Sequence, residues 1–131
     1  MRLTFMPNRL FHVVSVGAVL LFGAPAWAGS TSAGLNAYNQ GDFARASSIF
    51  ASLAQKGNAD AQNHLGYLYA QGHGVELDYV RAHMWFNIAA ASVELLAGNN
   101  RDGIVLKLTK LELKEARRLA KSCVQSRLKK C

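Results

Sequence analysis

The sequence is poor in anything that does chemistry. It has two cysteines in 131 residues, Cys123 and Cys131, too few for a disulfide-dense scaffold. No apolar run reaches the roughly 20 residues that a membrane-spanning helix needs. No stretch alternates apolar and polar residues long enough to count as a strand, which leaves helices as the only regular element. There is no serine in a nucleophile-elbow setting, no glycine-rich loop between a strand and a helix, and no isolated carboxylate pair. Gly72 and Gly74 follow a helical pattern rather than a strand, so they do not form a nucleotide loop. His64, His73 and His83 do not pair at i, i+4 on one helix, which removes the usual zinc arrangement. Cys123 sits on an apolar helical face, where thiols are inert. The expectation is a non-enzymatic protein without metal or cofactor.

Acidic residues are scarce as well, eight against fifteen basic ones. The excess is local. From Arg101 to Cys131 there are ten basic residues against three acids, whereas residues 29–100 hold three against five. Such asymmetry points to an acidic partner or an anionic surface rather than to a fold.

The first 28 residues read as an export signal. Arg2 and Arg9 form a positive start, Leu10 to Phe22 an apolar stretch, and Ala26-Trp27-Ala28 a small-x-small cleavage site. The processed chain is expected to begin near Gly29 and to be periplasmic or secreted, where nucleic acid is not an expected partner. The remaining length suits one domain with a modest core.

That domain is expected to be helical throughout. Ser30, Thr31 and Ser32 offer caps for a helix from about Ala33 to Gln40, and Gly41 stops it. Asp42 opens a second helix, to about Lys56. In the next pair, Ala61, Leu65, Leu68 and Tyr69 share one face before Gly72-His73-Gly74. Asp78 caps a helix in which Tyr79, Ala82, Phe86, Ala89 and Ala90 recur with helical period, and Met84, Trp85 and Ile88 make the rest apolar. That helix is expected to be buried between neighbours and to run on to Ala97, before Gly98 and Asn99-Asn100.

The two pairs repeat each other. Asp42, Phe43, Ala46, Phe50, Leu53 and Ala54 map onto Asp78, Tyr79, Ala82, Phe86, Ala89 and Ala90 at a constant offset of 36. Tyr38 and Gly41 map onto Tyr69 and Gly72 at 31. Repeat one is therefore about 33–57 and repeat two about 59–97, with C-terminal capping helices over about 101–126. In the last of these, Thr109 and Glu112 form a capping box. Leu113, Ala116, Leu119, Ala120, Cys123 and Val124 fall on the side that lids the stack; Lys110, Lys114, Arg117, Arg118 and Lys121 fall opposite.

The pattern Ala61, Leu65-Gly66, Tyr69, Gly72, Gly74-Val75, Asp78, Ala82, Trp85 and Ala89-Ala90 resembles the Sel-one-like repeat, a relative of the tetratricopeptide repeat. The resemblance covers residues 61–91; the first pair lacks the Gly-x-Gly-Val loop and has Ile49 where Trp85 stands. It implies an α-solenoid of two helix-turn-helix repeats with a capping helix, acting as an adaptor, scaffold or regulator of a protein complex at a bacterial envelope.

Residues on the outward face of each repeat's first helix are expected to line the partner groove. These are Asn63, Tyr67 and Gln71 and, through the offset of 31, Ser32, Asn36 and Gln40. The alternative is binding to an anionic membrane surface or acidic partner through the basic stripe. Cys123 and Cys131 can bond if the last helix stops near Ser126 and the tail folds back. A helix continuing to the end would hold them about 12 Å apart. The sequence leaves monomer and dimer both open.

Overall fold

The computed structural model describes residues 30–92 and 95–131; the expected export signal lies outside them. The described residues form six α-helices, one short 3-10 turn and no strand. The helices are α1 (Thr31–Asn39), α2 (Phe43–Gln55), α3 (Ala59–Gln71), α4 (Tyr79–Ala90), α5 (Leu95–Ile104) and α6 (Lys110–Gln125), with the 3-10 turn at Val105–Lys107. Each of the first four packs on the next, and α5 and α6 both pack on α4. The result is a helical solenoid.

The repeat is visible in the caps. Asp42 accepts from the Arg45 N–H at 3.1 Å at the start of α2, and Asp78 accepts from the Arg81 N–H at 2.9 Å at the start of α4. It is visible again where helices cross closely. Gly34 of α1 lies under the Phe50 ring of α2, and Gly66 of α3 under the Phe86 ring of α4. A side chain at either glycine would push the helices of that repeat apart. Ala46, Phe50 and Leu53 of α2 and Ala82, Phe86 and Ala89 of α4 are all buried, as the offset of 36 requires; Ala54 is buried too, but its counterpart Ala90 is half-buried.

The first helices repeat with a different offset. Gly34 and Gly66 are 32 residues apart, while the terminating glycines Gly41 (φ +77°) and Gly72 (φ +67°) are 31 apart. The bodies of α1 and α3 are thus one residue out of step with their ends. This matters below, because one residue is about 100° around a helix.

Helix α4 does not run on to Ala97. It stops at Ala90, the chain turns at Ala91–Ser92, and α5 includes the Gly98, Asn99 and Asn100 expected to end a helix. Packing overrides propensity here. Ala97 becomes fully buried, and Asn100 donates from Nδ2 to Asn63 Oδ1 of α3 at 3.0 Å.

The capping box of α6 forms as expected: the Glu112 N–H donates to Thr109 Oγ1 at 3.2 Å and the Thr109 N–H to Glu112 Oε2 at 2.8 Å. The Thr109 N–H, and then the Thr109 hydroxyl, which also donates to Oε2 at 2.8 Å, hold the Glu112 carboxyl below its ordinary pKa. Ala116, Ala120 and Cys123 are buried, but Val124, expected on the same side, is 54% exposed because it lies at the edge of the stripe. The helix ends at Gln125, and Arg127 and Leu128 take left-handed φ values of +55° and +64°. The Leu128 N–H returns to the Cys123 carbonyl at 2.9 Å. This reversal brings Cys131 to Cys123, with Cα atoms 4.8 Å apart, and the two are joined in a disulfide. The folded-back tail, not a continuing helix, is what forms.

His83 of α4 is buried where α5 and α6 meet α4, and its Nδ1 has no hydrogen-bond partner among the described residues. Burial, then the charges of Arg117 and Arg101, push its pKa below the ordinary 6.5; Asp102 opposes them weakly. The folded chain therefore resists a proton that the unfolded chain accepts. Stability is expected to be full above about pH 6.5 and to fall as pH drops below it, by at most about 1.4 kcal/mol per pH unit. Thermal melts from pH 7.5 to 5 check this, with His83→Gln expected to flatten the slope.

Candidate functional site

Helices α1, α2, α3 and α5 meet around a cleft of about 370 Å³. Leu35, Tyr38 and Asn39 of α1 line one side, and Asn63, His64, Tyr67 and Leu68 of α3 the other. Phe50 of α2 lies beneath and Asn100 of α5 closes one end. None of these residues is a carboxylate or a permanent cation. Phe50 and Leu68 are each 1% exposed and form an apolar floor, whereas Leu35 and Tyr67 stand 37% and 42% exposed at the rim. His64 stacks on Phe50 with ring centroids 4.8 Å apart.

A cluster of rings fixes the other end. Tyr38 Oη lies 3.0 Å from His73 Nδ1, and the His73 ring stacks on Phe43 at 4.4 Å. Tyr67 meets Tyr38 edge-on at 6.3 Å. Burial, and then the adjoining Tyr67 hydroxyl, raise the Tyr38 phenol above its ordinary pKa of 10.0, so it presents a neutral O–H group. His73 is in the Gly-x-Gly-Val loop, so the loop of repeat two props the cleft wall contributed by repeat one.

Of the six residues expected in a groove, the structure brings Asn63 and Tyr67 to this cleft. Ser32, Asn36, Gln40 and Gln71 are exposed and do not line it. The offset explains Asn36. At 32 rather than 31, Tyr67 corresponds to Leu35 and not to Asn36, and Leu35, with Tyr38 and Asn39, faces the cleft. The signal for the correct register was available in the sequence, in Gly34 and Gly66. Asn100 could not have been found in the same way, since it belongs to a helix that the local sequence argues against.

The five residues of the basic stripe are all exposed on α6. Arg118 is neutralised by Glu115, with its Nη2 at 2.6 Å from Oε1. Among the described residues, Lys110, Lys114 and Lys121 have no acidic partner. No group of three or more His, Cys, Asp or Glu among the described residues could hold a metal ion. None of the described helices is long and apolar enough to cross a membrane.

Residues 59–92, which are α3, its loop and α4, match the family model of the Sel1 repeat. That segment is a Sel1 repeat. A solved structure agrees: a protective antigen present in uropathogenic Escherichia coli strains, displaying an SLR fold, superposes with a TM-score of 0.66 at 33% identity. That likeness covers 78% of this chain and 23% of the antigen, so this chain spans about a quarter of the antigen's length. The chain has no match among curated proteins. Sel1-like repeats generally mediate protein–protein interaction. The disulfide and the likeness to a bacterial antigen are both consistent with an exported protein.

Proposed function

We propose that this Sel1 repeat-containing protein is an exported, non-catalytic adaptor whose cleft between α1 and α3 takes an extended segment of a protein partner. The supporting observation is the arrangement of Asn39 of α1, Asn63 of α3 and Asn100 of α5 around an uncharged cleft with an apolar floor. Asparagine amides match the donors and acceptors of a peptide backbone. Leu35, Tyr67 and the floor can bury one apolar side chain of the partner. Residues 1–28 are read as the export signal and the rest as one domain, with the Cys123–Cys131 bond suited to an oxidising compartment.

The test is a photo-crosslinking side chain placed at Tyr67, used to capture partners from the envelope fraction. Asn63→Ala with Asn39→Ala is expected to weaken recovery about tenfold or more, given about 1 kcal/mol for each lost hydrogen bond. Ser32→Ala, Asn36→Ala and Gln71→Ala are expected to leave it unchanged. Equal recovery with the cleft variants would rule the reading out.

A further inference from the structure

The bend between α5 and α6 carries two leucines that the core does not use. Leu106, in the 3-10 turn, is 89% exposed, and Leu111, in the first turn of α6, is 77% exposed. The inward positions of the same segment are taken by Leu108 and Leu113, which are half-buried. Lys107, Lys110 and Lys114 are interleaved with the exposed pair, all exposed and without an acidic partner among the described residues. On α6, Leu111 and Lys114 are neighbours at i, i+3, and Lys110 and Lys114 at i, i+4, so the apolar and cationic side chains share one flank. Arg117, Arg118 and Lys121 continue that flank along the helix.

We propose that this bend is a docking tip for an anionic lipid surface. Leu106 and Leu111 enter the boundary between headgroups and acyl chains, while Lys107, Lys110 and Lys114 lie on the phosphates. Charge complementarity selects the occupant: the tip carries three lysines against the single carboxylate of Glu112, which is already committed to the capping box. A protein interface is a poorer fit. Interface cores are depleted in lysine and anchored by aromatic residues in pockets, and this bend offers three lysines and no aromatic residue. Lysine stems can lie along the membrane boundary with their charges outward, and leucines need no shaped partner there. The solvent-facing flank of α6 makes this contact, so the helix keeps its opposite face in the core. A lipid-bound chain would retain its fold and its cleft.

The experiment is co-sedimentation of the purified protein, in the form that the cell accumulates, with two kinds of vesicle. One is equimolar phosphatidylcholine and phosphatidylglycerol; the other is phosphatidylcholine alone. Binding is expected to the anionic vesicles only and to weaken with salt. Leu106→Asn with Leu111→Asn is expected to lower partitioning about tenfold or more, and Lys110→Glu with Lys114→Glu to abolish it. Both side-chain pairs are exposed, so unchanged circular dichroism and melting are expected to show that the variants fold. Three results would overturn the proposal: no binding to anionic vesicles, equal binding by the leucine variant, or a concentration-dependent dimer that the leucine variant loses while vesicles capture nothing.

Discussion

Gly74→Ala is expected to lower the melting temperature by roughly 15 °C, equivalent to about 3 kcal/mol in a domain of this size. Two effects combine. At φ +70° any L side chain is strained, and a Cβ built there runs into the Phe43 carbonyl and lies 2.9 Å from the Ala44 nitrogen. Both obstacles are backbone in the first turn of α2, pinned by the Asp42 cap, and cannot rotate aside. The loop must lift instead. Lifting it breaks the bond from Ser47 Oγ to the Gly74 carbonyl (3.2 Å) and the stack of His73 on Phe43. Gly41→Ala provides the comparison. Its φ is +77°, but its Cβ would meet nothing within 4 Å, so it is expected to cost only the backbone strain, about 1 to 2 kcal/mol. Equal shifts for the two variants would mean that the loop does not rest on α2. Because His73 also holds Tyr38, Gly74→Ala is expected to weaken partner capture by the cleft as well.

Phe50→Ala is expected to be the most damaging single truncation near the cleft, at about 3–5 kcal/mol, because the ring is 1% exposed and nothing adjacent is free to fill its volume. Its partner variant is more informative. Gly34→Ala alone would place a Cβ 2.7 Å from Phe50 Cζ and is expected to cost about 2 kcal/mol. In the Phe50→Ala background the ring is gone, and alanine's better helix propensity is expected to make the same change favourable by roughly 1 kcal/mol. The sign of the Gly34→Ala effect therefore reverses, giving a coupling of about 3 kcal/mol by urea denaturation. Additive effects would show that α1 and α2 do not cross at Gly34.

Much of this protein is legible along the chain. The caps Asp42, Asp78 and Thr109, the offset of 36 between α2 and α4, and the apolar circumference of α4 follow from local hydrogen-bonding rules and helical periodicity, and the structure agrees with each. The cleft was half legible. Asn63 and Tyr67 could be placed by facing, but Asn36 was placed by terminal glycines that are one residue out of register with Gly34 and Gly66. Helix α5 was not legible at all. Its glycines and asparagines disfavour a helix, and only the burial of Ala97 against neighbouring helices and the bond from Asn100 to Asn63 compensate.

The sequence by itself determined that the chain is helical, that it repeats, and that its positive charge gathers at one end, because each of these depends on residues within a few turns of one another. Tertiary structure alone decided where α4 stops, which flank of α1 meets α3, and that the tail turns back to join Cys131 to Cys123. Those outcomes depend on contacts between residues distant in sequence or on a backbone reversal at Arg127 and Leu128, two residues whose types do not favour left-handed φ. Local preference could not specify them, since the energy that selects each one appears only once the helices are packed.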